Sequence, residues 1–191
     1  MKIMDVKEAI NKRRAYRSLD PIEITEELIK DLAQSAQLAP SCFNNQPWRY
    51  VFVHDSETLE KLYKTLPKTN EWVKNGSMII AVVSKKEYDC IVGNREYYLF
   101  DTGMATAFLI LRATELGLVA HPIAGYDEEK AKEELGITED MLLITLVIVG
   151  KRSETIKPNL TEKQAQIEKQ RPERTPIEKF AYTNTYKEEE K

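Results

Sequence analysis

At 191 residues the chain is long enough to bury a sizeable core, and 42% hydrophobic with 31% charged residues is an ordinary composition for a folded protein. A net charge of -3 argues against a nucleic-acid binder, which needs a basic stripe, and leaves only local basic clusters of interest. Two cysteines and two histidines, scattered without a CxxC, exclude a disulfide framework and argue against zinc or iron, so Cys42 and Cys90 are expected as free thiols and no metal is expected.

The opening MKIMDVKEAI has no apolar stretch of signal-peptide length, which points to the cytoplasm. Asp5 followed by Glu8 starts a helix through about Arg14, with Val6, Ala9 and Ile10 on its apolar face. That helix would end in a basic cluster, Arg13, Arg14 and Arg17, with Arg13 and Arg17 one turn apart and their charges complementing the helix end. Guanidinium forks suit phosphate oxygens, although a solvated basic helix end has the same appearance. Thr25 caps a second helix, which Pro40 stops. The run APSCFNNQPW follows, a polar loop pinned by Pro40 and Pro47 and backed by Trp48.

Tyr50 to Val53 reads as a short strand, Ser56 as the cap of a third helix, and Met78 to Ser84 as a fully buried strand. A helix from about Tyr97 to Leu116, stopped by Gly117, is apolar nearly all round, and Gly103 and Ala107 would let another helix approach closely. Its longest charge-free run, Thr102 to Leu111, is half of the ~20 residues a membrane span requires, so no membrane partner is expected. An extended VAHPI, a helix capped by Asp127 and ended by Gly136, and a strand over Leu142 to Gly150 complete the core. Beyond Gly150 no periodic core segment is visible, yet Ile167, Ile177, Phe180, Tyr182 and Tyr186 offer apolar handholds of the kind that wrap a partner. No two glycines lie closer than Gly117 and Gly125, which excludes GxGxxG and Walker A loops.

Five motifs in order carry a resemblance: the arginines after the first helix, PSCFNNQPW, a helix opening DTGMA from Asp101, PIAGYD from Pro122, and a late RPERTP. The chain resembles the FMN-dependent nitroreductases over most of its length. The resemblance implies an α+β fold, a central sheet surrounded by helices. It also implies a homodimer with the long helix in the dimer core, residues 1–191 as one unit, and about 151–191 as an extended tail embracing the partner subunit.

It implies FMN as cofactor, with NAD(P)H and a small aromatic acceptor such as a nitroaromatic or quinone taking turns at the flavin in a ping-pong reaction. The resemblance assigns Arg13 and Arg14 to the phosphate and Arg17 to the flavin pyrimidine. Asn70 falls at the flavin edge and Pro122, Ile123, Ala124 and Gly125 at its N5 side. Arg174, with Arg171 as a weaker candidate, forms a second phosphate contact. Pro40, Ser41, Cys42 and Asn44 reach flavin bound mainly by the other subunit, while Gln46 and Trp48 anchor their loop. No side chain is assigned as catalytic acid or nucleophile. Ala15, Ala124 and Cys42 depart from the usual serine, glutamate or glycine, and small polar residue at their positions. A dehalogenase-type branch of the fold and a flavin-binding sensor or store remain alternatives.

Overall fold

The strand expected at Met78 to Ser84 is the most completely buried element of the computed structural model, which describes residues 4–187. Both faces of this strand, β3, are covered: Met78, Ile80 and Val82 enter one apolar cluster, and Ile79, Ala81 and Val83 the other. That is why it reads as a continuous apolar run and not as an alternation. β3 lies between β2 (Arg49–Val53) and β7 (Leu142–Arg152), and β6 (Leu118–Ile123) covers the other side of β7, all antiparallel. Beyond the end of β3, the two residues of β1 (Leu19–Asp20) pair with Lys151 and Arg152.

One face of this sheet carries α2 (Glu26–Gln37) and α4 (Tyr98–Glu115), through Leu32, Ala36, Ala105 and Leu109. The other carries α3 (Ser56–Tyr63), α5 (Glu128–Leu135) and a 3-10 segment over Lys68–Asn75, through Leu59, Leu62, Ala131, Trp72 and Val73. The result is the expected α+β arrangement, an antiparallel sheet between helices. Among the described residues, no helix is long and apolar enough to cross a membrane.

The local signals explain most boundaries. Thr25 accepts the Leu28 N–H to start α2, Asp127 accepts the Lys130 N–H to start α5, and Gly136 closes α5 in the left-handed conformation at φ 64°. At α3 the cap is Asp55, which accepts the Thr58 N–H, and Ser56 is the first helical residue. The carboxylate is the stronger acceptor of the two.

The first helix, α1, spans Val6–Lys12 and does not reach the arginines. Arg13 is already extended (φ -54°, ψ 121°), so Arg13 and Arg17 are not a helical turn apart. The reason lies far away in sequence. Glu168 accepts the backbone N–H groups of Arg17 (2.9 Å) and Ser18 (3.2 Å), and the Arg171 guanidinium donates to the carbonyls of Asn11 and Arg13. These bonds satisfy backbone groups that a longer helix would have paired internally.

Glu168 belongs to α6 (Glu162–Lys169), a helix not legible beforehand, which opens with a reciprocal capping box between Thr161 and Gln164. α6 docks on its own chain. Also unforeseen is a two-stranded hairpin, β4 (Ile91–Val92) and β5 (Arg95–Glu96), just before α4.

The cysteines are not free thiols. Cys42, in the polar loop, and Cys90, at the foot of the hairpin, are joined in a disulfide with their α-carbons 6.1 Å apart. The loop before β2 and the hairpin before α4 meet at one end of the sheet, a proximity that a separation of 48 residues does not advertise.

Candidate functional site

The expected site residues fall into two groups. The first surrounds the arginines. Every charge acting on Arg13 is another arginine: its pKa is pushed down by burial first, then by Arg171, Arg174 and Arg14. Like charges gathered this way raise the energy of the empty protein and favour an anion.

Arg14 is partly committed elsewhere, donating to Tyr16 Oη (3.1 Å) and the Ile167 carbonyl (2.7 Å) while stacking 4.5 Å from the Tyr16 ring. It ties the segment after α1 to α6. Arg17 lies 5.6 Å from the Trp72 ring centroid, and its Nε is buried without a hydrogen-bond partner. A buried guanidinium donor left unpaired is costly, and a ligand acceptor is the simplest remedy.

Trp72 extends the group in two directions. Its indole N–H donates to Asn70 Oδ1 (3.2 Å), which leaves Asn70 Nδ2 to donate to the Gly125 carbonyl (2.7 Å). Asn70 and Gly125 are thus brought together. A Cβ at Gly125 would stand 2.9 Å from Asn70 Nδ2, so glycine is what allows this approach. Pro122 is exposed and Ile123 buried at the end of β6, with Ala124 and Gly125 exposed beyond it.

On its other side Trp72 stacks on His121, with centroids 4.6 Å apart. His121 Nδ1 lies 3.0 Å from the Tyr16 carbonyl, which can only accept, so this nitrogen carries the proton. Burial, then Arg17 and Arg13, bring the His121 pKa down to about 4, while the Tyr16 carbonyl opposes them. The ring is neutral near pH 7 and offers no proton there.

This shift has a testable sign. The pKa falls on folding, so the stability contributed by the neutral ring is complete above the unfolded value near 6.5 and is lost as pH falls toward 4. Denaturant unfolding of the ligand-free protein between pH 7.5 and 4.5 should show a loss of about 2–3 kcal/mol that His121→Gln does not share. Parallel pH profiles for the two proteins contradict this.

The second group is the polar loop. Cys42–Asn44 form one 3-10 turn, and Phe43 (φ 49°), Asn44 (φ 59°) and Gln46 (φ 51°) are all left-handed without being glycine. Each such residue costs on the order of 1–3 kcal/mol and persists only where its surroundings impose it. The Gln46 N–H donates to Ser41 Oγ (2.9 Å), the Ser84 hydroxyl to the Pro47 carbonyl (2.9 Å), and the Cys42 N–H to Asp101 Oδ2 (2.6 Å). Trp48 is buried in the core beneath. Gln46 and Trp48 hold the loop, whereas Pro40 and Asn44 are exposed and Ser41 and Cys42 half-buried.

The Ile123–Gly125 part of the first group and the polar loop sit at the same end of the sheet, because Arg49 opens β2 opposite Val83 and Ile123 closes β6 opposite Leu146, whereas the arginines run into β1, paired with Lys151 and Arg152 toward the other end of β7. β6 and β2 lie at opposite edges, however, with β7 and β3 between them. Three strand spacings separate them, roughly 14 Å.

Sequence reasoning missed Tyr16, Trp72, His121, Glu168, Asp89 and Asp101 as parts of these groups. His121 stood in a short alternating stretch, and Asp101 opened a motif that marked its helix. The others gave no local signal.

A model of the Nitroreductase family matches residues 10–151. The chain is 26% identical to YdgI of Bacillus subtilis, which is named as an NAD(P)H nitroreductase, over 81% of this chain and 91% of that protein. It is 30% identical to an Archaeoglobus fulgidus protein named as an NADH dehydrogenase/NAD(P)H nitroreductase, over 72% of this chain and 80% of the relative. A solved structure described as an oxidoreductase containing FMN superposes with a TM-score of 0.83 at 27% identity, covering 98% of this chain and 96% of that one. An Exiguobacterium sibiricum structure has the same fold, with a TM-score of 0.77 at 23% identity over 95% of this chain and 98% of its own.

Proposed function

Because the chain belongs to the Nitroreductase family, we propose that it is an FMN-dependent NAD(P)H oxidoreductase whose two sites are each completed by the second subunit of a homodimer. The observation that carries this reading is the buried, unpartnered Nε of Arg17 beside a cluster of arginines that disfavour charge on Arg13, with Glu168 committed to the backbone N–H groups of Arg17 and Ser18. An anionic ligand with ring carbonyls answers both features, and the residues present fit FMN.

Arg13 and Arg174 would take the phosphate, with Arg14 supporting them while it holds the tail. Arg17 and Asn70 would face the pyrimidine edge, where a fixed positive charge favours the reduced cofactor. Pro122, Ile123, Ala124 and Gly125 would line the N5 side, with the Gly125 N–H as donor. Pro40, Ser41, Cys42 and Asn44 would come from the other subunit. When bound, FMN supplies two-electron chemistry, taking hydride from NAD(P)H and passing it to a nitroaromatic- or quinone-like acceptor in ping-pong order. The side chains bind, orient and polarise; none is needed as acid or nucleophile.

Several surfaces support the dimer. Val6 is 72% exposed, Leu38 79% and Phe108 42%, around a groove of about 480 Å³ between α1, α2 and α4. Gly103 and Ala107 line a second groove, and nothing lies within 4 Å of a Cβ built on Gly103. Ile177, Phe180 and Tyr186 stand exposed on the segment after α6. We assign these surfaces to the second copy, with residues 1–191 acting as one unit; of the tail expected over about 151–191, α6 docks on its own chain and the part beyond it would embrace the partner.

The test is spectroscopic. The purified protein should be yellow, bleach with NADH or NADPH in the absence of oxygen, and recover its colour when a quinone is added. A protein that takes up no FMN, or binds it without bleaching, contradicts the reading.

A further inference from the structure

The disulfide lies at a place where it can matter. It fastens a loop with three left-handed, non-glycine residues to the foot of an exposed hairpin. The other links holding the loop are single hydrogen bonds, including a weak one of 3.3 Å from Asn45 Nδ2 to Asp89 Oδ1. Both cysteines are half-buried, and neither belongs to the two apolar core clusters.

An Asp89 carboxylate oxygen lies within 4.8 Å of both sulfurs, and Asp89 Oδ2 is buried without a partner. Asp101, also beside the bridge, is held by the Cys42 N–H. Opening the bridge removes the covalent link between the loop and the hairpin and leaves the Asn45–Asp89 hydrogen bond.

We propose that the Cys42–Cys90 bridge is a thiol-exchange site, taking a dithiol as co-substrate, whose opening releases the Ser41–Gln46 loop and weakens FMN binding. The inference rests on the reading of this loop as a flavin contact. A thiolate of the dithiol attacks the Cys90 sulfur, forming a mixed disulfide and expelling Cys42 as thiolate, which takes up a proton. The second thiol of the reagent then attacks its own sulfur in the mixed bond, closing the reagent's disulfide and releasing Cys90. Two electrons and two protons pass from the dithiol to the cysteine pair.

The experiment compares the oxidised protein, the protein in dithiothreitol, and Cys90→Ser, with free thiols counted in each. FMN titration should give a Kd about tenfold weaker in dithiothreitol, because the loop must then be ordered on binding. Cys90→Ser should show the weaker value with or without dithiothreitol. In the flavin-free protein, amide hydrogen exchange over residues 41–46 should speed up on reduction. A bridge that stays closed in dithiothreitol overturns the proposal, as does an unchanged Kd with two free thiols counted; both outcomes leave the FMN site standing. Absence of FMN binding in every state overturns the flavin reading itself, and the proposal with it.

Discussion

Replacing Arg13 and Arg174 together with alanine is expected to weaken FMN binding by about 10²–10⁴-fold while leaving riboflavin almost unaffected. Each hydrogen bond to a charged group contributes ~1.5–3 kcal/mol, and two such contacts would be lost. Riboflavin lacks the phosphate, so it reports on everything else in the site. The arginines also repel one another, with burial, Arg171, Arg174 and Arg14 all disfavouring charge on Arg13. The ligand-free double variant should therefore be no less stable than the wild type. Fluorescence titrations with both flavins, alongside denaturant unfolding, separate these effects. Equal losses for FMN and riboflavin, or equal affinities in the wild type, contradict the phosphate assignment.

Much of this molecule could be read directly from its residues, for reasons that can be stated. Met78–Ser84 is buried on both faces and therefore appears as an unbroken apolar run. α5 is bounded by a capping aspartate and a left-handed glycine, both local devices. The resemblance assigned Asn70 and Gly125 to the flavin separately, and the structure joins them by a hydrogen bond of 2.7 Å.

What escaped was set by contacts across long sequence distances. The arginines left their expected helix because Glu168, 151 residues beyond Arg17, takes its backbone N–H. α6 is short and mostly polar, with its buried residue a glutamate, so apolar periodicity had nothing to register. The disulfide joins two segments that meet only once the sheet is assembled. Trp72 drew no reading and His121 stood only in a short extended piece, and their part at the site lies in what they contact: Asn70 on one side, the Tyr16 carbonyl on the other.

The claim on which the rest depends is that arginines of one subunit and the Pro40–Asn44 loop of the other make a single site. β2, which follows the loop, and β6, which leads into Gly125, are opposite edges of one sheet, and in the proposed homodimer the loop of the second copy would reach the arginines. A mixed dimer tests this directly. One chain carries Arg13→Ala and Arg17→Ala; the other carries Ser41→Ala and Asn44→Asp, which places a carboxylate near the reduced cofactor and removes a donor. Each homodimer should be impaired at both of its sites. In the purified heterodimer, one site combines all the lesions while the other joins intact arginines to an intact loop. FMN uptake should recover to about one per dimer, and NAD(P)H oxidation to about half the wild-type rate, as two-fold symmetry requires. A heterodimer that recovers neither, while both parent proteins remain folded, would show that each loop serves its own subunit.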